Sequence, residues 1–433
     1  MVLLGARSTA YSGDDGRYRA VHVIITLNER RMQPSTAAST TTRTTPVRAR
    51  IESVDVVRGV IMILMALDHT RDYFGNAAAN PTDLATATAA LFFTRWLTHF
   101  CAPVFFFLTG TGAYLARRRR STRELSVFLL TRGLWLVFLE LTIMRLFWQF
   151  NVDYQVTILT VLWAIGWSMV VLAALVHLPP RVCVAIGAAM IVLHNLADTV
   201  RPASFGALAP LWTALHSPGV LFASPGHIVI AAYVLIPWVG VTALGYGIGP
   251  IFAMTPERRR ALLLRAGLTT TAAFVLLRLS NLYGDPSKWA VQRTPLFTLL
   301  SVIDVTKYPP SLLFLLMTLG PALLLLRAVD GGTPRFLRPA AIYGKVPMFY
   351  YVVHVLVIHL LAVAASYLRY GVTHWMFESA RPDQYPVTQP PGWPATLPVV
   401  YAIWITVVVL LYPACRWFAA LKARRNDAWL SYL

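Results

Sequence analysis

Six of the ten histidines in this 433-residue chain, His69, His99, His194, His227, His354 and His359, fall in the outer halves or at the ends of apolar runs. Imidazole changes protonation near neutral pH, so it can serve as base, nucleophile or metal ligand. The densest signal is Ala66-Leu67-Asp68-His69-Thr70-Arg71-Asp72, preceded by Asp55-Val56-Val57-Arg58-Gly59. Steps of three and four put Asp55, Arg58, Met62, Met65, His69 and Asp72 on one helical face. Asp72 is expected to accept from one ring nitrogen of His69, leaving the other as a base. His69, Asp72, His99 and Asp68 are therefore the catalytic candidates. Arg71, His354, Lys307 and Tyr308, placed toward the same side, are the substrate-binding candidates. Asp55 and Arg58 are expected to pair at the opposite end of the stripe. The bland alternative is a polar network that only packs helices. That structural reading is preferred for His194 and His227 taken singly, and His177 and His374 read as surface residues.

Composition says what must position these groups. Hydrophobic residues make up 57% of the chain and charged residues 13%, against roughly a quarter charged in soluble domains. Apolar runs long enough to cross a hydrocarbon core recur along the chain. Backbone groups in such a core must bond to one another, so the runs are expected to be helices, and no short alternating segments suggest a barrel. The fold class is an all-α polytopic transmembrane bundle of about ten spans, at roughly 54–70, 93–115, 125–147, 155–176, 182–199, 227–250, 261–281, 309–327, 342–366 and 396–415. Arg117 to Arg120, Arg258 to Arg260, Arg335 with Arg338, and Lys422 with Arg424 and Arg425 all follow even-numbered spans. An even count with both termini cytoplasmic puts every basic cluster inside. The same bias accounts for the net charge of +19 without nucleic acid as a partner.

Smaller features follow from this frame. Residues 1–48 are polar and rich in Ser, Thr and Arg, and are expected to be a disordered extension, with Met32 an alternative start. Residues 49–433 form the membrane domain. Pro103 is expected to kink its span near His99. Gly110, Gly112 and the glycines at 245–249 are expected to let helices touch closely. Segment 295–306 reads equally as a re-entrant piece and as an eleventh span. Cys101, Cys183 and Cys415 lack metal-ligand spacing, and no metal is expected. No nucleotide-binding glycine loop, zinc-type His pair or serine elbow occurs.

Ser53-Val54-Asp55-Val56-Val57-Arg58-Gly59, with Met65 to Phe74, resembles the opening of bacterial membrane proteins grouped with the heparan-alpha-glucosaminide N-acetyltransferase catalytic domain. Pro103 to Gly110, Ile236-Pro237-Trp238, Lys307-Tyr308-Pro309-Pro310-Ser311 and Tyr343-Gly344-Lys345-Val346-Pro347 extend the likeness across residues 50–433. The resemblance implies an inner-membrane acyltransferase that moves an acyl group, acetyl in the simplest case, from cytoplasmic acyl-CoA to an envelope-side amine or hydroxyl. Arg58 and Lys345 are then the residues expected to meet the donor's phosphates. His69 and His99 compete for the catalytic role, with His69 ahead through Asp72. The expected partners are the bilayer and a small-molecule or glycan acceptor, with a homodimer as the alternative to a monomer. A transporter or flippase, and a non-catalytic membrane protein, are the competing functional readings.

Overall fold

The computed structural model describes residues 51–432 apart from 77, 78, 382, 383 and 426, so the N-terminal extension lies outside the described residues. Eight helices among them are long and apolar enough to cross a membrane. Taken with two more helices, they account for all ten expected runs.

The first of these two is α1 (Glu52–Phe74), whose 23 residues give a length of about 35 Å. It falls outside the apolar set because of its charges, and it can carry them because it is central. It packs against α2 (Ala89–Thr98), α3 (Cys101–Ala116), α12 (Leu312–Val329), α13 (Arg338–Lys345), α14 (Pro347–Tyr370) and α15 (Leu397–Arg424). Its polar residues therefore meet protein instead of lipid. The second is α6 (Val161–Leu175), an apolar helix of 15 residues. It packs along α4 (Thr122–Leu139), which continues through a π-helical segment (Glu140–Met144) into α5 (Arg145–Gln149). The remaining spans are α7 (Pro180–Leu193), α9 (Leu235–Ile248) and α10 (Pro256–Ser280), joined as the neighbouring pairs α7–α9, α3–α9 and α10–α12.

Two short helices complete the set: α8 (Ala209–Leu215), and α11 (Pro295–Ile303), whose nine residues are too few to span a bilayer. The fold is all-α as expected, with three short strands beside the helices. β1 (Val156–Leu159) and β3 (His227–Ala231) occupy what read as the first residues of two spans. They pair in parallel, and β2 (Gly219–Ser224) adds antiparallel to β3, in the order β1-β3-β2. Both segments are rich in β-branched residues and short, where apolarity alone does not separate strand from helix.

Close backbone crossings hold the bundle. A Cβ on Gly59 would stand 1.7 Å from the Ala340 carbonyl oxygen, and one on Gly344 1.8 Å from that of Asp55, so α1 and α13 touch backbone to backbone. Gly110 plays the same part between α3 and α9, where its Cβ would stand 2.0 Å from the Thr242 oxygen. Gly112 does not, since no atom lies within 4 Å of its Cβ position, and it borders a cavity instead. The run at 93–115 breaks at His99 and Phe100, and Pro103 stands in the first turn of the next helix. Lacking an N–H, it leaves the His99 carbonyl free, which is the expected kink.

Candidate active site

Arg58 opens the site. Its guanidinium donates to Asp55 Oδ1 at 3.4 Å, as expected, and to the Gly344 carbonyl at 3.2 Å, which brings Lys345 alongside. A cavity of about 530 Å³ begins here. Five cations border it: Arg58, Arg120, Arg132, Lys345 and Lys422. Arg132 lies within electrostatic reach of both Arg58 and Arg120. The remaining wall is largely apolar, formed by side chains such as Met62, Leu108, Leu162 and Met348, with Tyr351 also on it. This combination suits a ligand with an anionic head and a long, mostly uncharged arm.

Tyr351 links the cavity to a histidine pair. Its ring meets His69 edge-on at 6.1 Å between centroids, and His354 at 5.7 Å. His69 Nδ1 lies 2.7 Å from His354 Nε2, with the rings inclined by 14°. His354 is fully buried, and its Nδ1 lies 2.8 Å from the Tyr350 carbonyl. A carbonyl only accepts, so Nδ1 of His354 carries the proton and Nε2 offers its lone pair. His69 Nδ1 must then donate to that lone pair, which leaves its own Nε2 as an acceptor. The chain Tyr350 carbonyl, His354, His69 thus sets the His69 tautomer needed for a base. Trp148 packs edge-on against His69 at 4.8 Å and completes the setting.

That arrangement corrects the role expected for Asp72. Its carboxylate accepts from Arg71 at 2.8 Å, while His69 Nδ1 is taken by His354. The physical reason is charge: a guanidinium beside a carboxylate forms a stronger bond than a neutral imidazole does. Arg71 also pairs with Asp68 at 2.9 Å, and Arg95 holds Asp68 at 2.5 and 2.8 Å. Asp68, Arg71 and Asp72 therefore form one ion cluster beside His69. Lys307, at 8% exposure, stands over the Tyr308 ring at 5.1 Å and within electrostatic reach of Asp68 and His69. Tyr308 itself is exposed. His99 is buried against Phe314, near Arg95 and Lys307, and its Nδ1 has no hydrogen-bond partner.

The other histidines take structural places. His194 faces the carbonyls of Ile191 and Pro310, and His359 those of Phe147 and Met376. His177, His227 and His374 are exposed. Sequence reasoning passed over Arg95, Arg132, Glu140, Trp148 and Tyr351. A usable signal existed for Arg95 and Glu140, since a charge inside an apolar run is a functional hypothesis. Tyr351 stands three residues before His354, on the same helical face. Among the described residues, no three of His, Cys, Asp and Glu come together as a metal-binding group.

Fold and site together define a multi-pass membrane protein with a basic-rimmed cavity leading to a partly buried histidine pair. Residues 50–281, just over half of the chain, match the family described as heparan-alpha-glucosaminide N-acetyltransferase, catalytic, and the chain belongs to that family. Membership points to a membrane acetyltransferase. No curated protein matches the chain. The matched stretch holds Arg58, His69 and His99 but ends before Lys307, Lys345, Tyr351 and His354, which join the site through the fold alone.

Proposed function

We propose that this protein is an integral-membrane acyltransferase that moves an acyl group, most simply acetyl, from acyl-CoA to an amine or hydroxyl of an envelope acceptor, most simply a sugar. The observation that carries the reading is the cavity, with cations at its rim and the His69–His354 pair behind Tyr351. The basic loops favour a cytoplasmic rim in the inner membrane, where acyl-CoA is available.

Arg58, Arg132 and Lys345 hold the donor's phosphates, and the apolar wall takes its arm. His69 Nε2 accepts the proton of the attacking amine or hydroxyl. The new C–N or C–O bond forms, the thioester C–S bond breaks, and the proton on His69 passes to the departing sulfur. His354 Nε2 accepts from His69 Nδ1 throughout, and so keeps Nε2 of His69 as the site that takes up and gives back the proton.

Release of free CoA thiol by the purified protein with acetyl-CoA and glucosamine tests this. A positioned base contributes about 10²–10⁴-fold, so His69→Ala is expected to lower the rate by that order. His99→Ala is expected to cost far less, because His99 is not part of the pair. A protein that takes solutes into vesicles without covalent change, and never releases thiol, contradicts the reading and supports a transporter.

A further inference from the structure

Glu140 is a buried carboxyl for which the mechanism above has no use. It opens the π-helical segment within the span Thr122–Gln149 and is 5% exposed. No Lys or Arg pairs with it among the described residues. Its Oε1 accepts from the Thr160 amide at 2.9 Å and from the Thr160 hydroxyl. Thr160 immediately precedes α6, so this oxygen caps that helix, which has no side-chain cap of its own. Oε2 is buried without a hydrogen-bond partner.

The amides of Thr160 and Leu162 both bond to the carboxyl, and capping accounts for these while leaving Oε2. A Ser, Thr or Asn side chain caps a helix without the cost of burying a carboxyl in a membrane. The position of Glu140 is equally particular. Leu136, one turn earlier, and Val161 and Leu162, which follow Thr160, all line the cavity. The phenols of Tyr351 and Tyr385 lie within electrostatic reach of the carboxyl. Tyr351 touches both histidines, and Tyr385 packs on Trp148, which touches His69. Two more buried atoms from the same stretch, Trp148 Nε1 and Gln149 Oε1, also lack hydrogen-bond partners. Three orphaned polar groups within ten residues, set off by a π-bulge, are a pattern that a polar ligand resolves.

We propose that Glu140 binds the acyl acceptor, with Oε2 accepting a hydrogen bond from the N–H or O–H of the attacking group and so holding it beside His69. The inference rests on the acyltransferase reading and adds the residue that receives the second substrate. Trp148 and Gln149 complete the acceptor's polar contacts.

Glu140→Gln separates this role from capping. The amide keeps an oxygen for Thr160 and turns the free position from an acceptor into a donor. With the full-length protein in detergent and glucosamine as the probe, the KM for glucosamine is expected to rise about ten- to hundredfold, the range for losing a hydrogen bond to a charged group. The KM for acetyl-CoA and the thermal midpoint are expected to stay as in the wild type. Glu140→Asp, which withdraws the carboxyl by one methylene, is the second variant and is expected to raise the glucosamine KM less. Wild-type kinetics in Glu140→Gln overturn the proposal. So does a rise confined to acetyl-CoA, which would assign Oε2 to the donor. A wild-type protein that releases no thiol from acetyl-CoA, with glucosamine or with water, overturns the acyltransferase reading and this inference with it.

Discussion

Replacing His354 by Leu removes the group that fixes the His69 tautomer among the described residues, and puts an apolar side chain at a fully buried site. The 2.7 Å contact then leaves His69 Nδ1–H without an acceptor. An unpaired buried donor costs about 1–3 kcal/mol, which at about 1.4 kcal/mol per decade is roughly a 5- to 150-fold loss in rate. The alternative open to the ring is to move its proton to Nε2, which removes the base and slows the reaction by the same route. Both outcomes act on kcat, because His354 is absent from the cavity wall where the donor is proposed to lie. The KM for acetyl-CoA is therefore expected to hold. His354→Gln offers an amide oxygen in place of Nε2 and is expected to recover part of the loss. Thiol release from acetyl-CoA under saturating donor measures both variants. Wild-type kcat in His354→Leu would refute the relay, and equal losses in the Leu and Gln variants would refute its hydrogen-bonding basis.

Asp72→Asn distinguishes the pairing found from the pairing first expected. Because Asp72 bonds to Arg71, which keeps Asp68 as a partner, its loss is worth about 1 kcal/mol and kcat is expected to fall less than about tenfold; a loss as large as that of His69→Ala would return Asp72 to the histidine. Gly59→Ala drives a methyl into the Ala340 carbonyl, and is expected to destabilise the bundle by about 1–3 kcal/mol or more, read as a lower thermal midpoint in detergent. An unchanged midpoint would mean that α1 and α13 do not cross so closely.

Much of the architecture was legible because the bilayer leaves the chain few choices. Each apolar run of the ten holds a helix, and Pro103 broke its run where a missing amide must. The polar face from Arg58 to His69 was also readable, since three- and four-residue steps survive in any helix. What stayed hidden was long-range. His354 lies 285 positions from His69, and no local pattern announces that contact. Asp72 looked like the partner because it is near in sequence, yet Arg71 is nearer still and carries a full charge. The strands at 156–159 and 227–231 hid inside apolar runs, because a short buried strand and the end of a helix have the same hydropathy. Glu140 was visible as a lone charge among apolar residues, but its meaning came only with Thr160 and Tyr351 around it.

A structure with a non-hydrolysable thioether analogue of acetyl-CoA is the most direct test of the central claim. The analogue's phosphates are expected among Arg58, Arg132 and Lys345, its arm along Met62 and Leu162, and its acyl end at Tyr351 facing His69 Nε2. An analogue bound outside this cavity, or with its acyl end turned away from the His69–His354 pair, would contradict it.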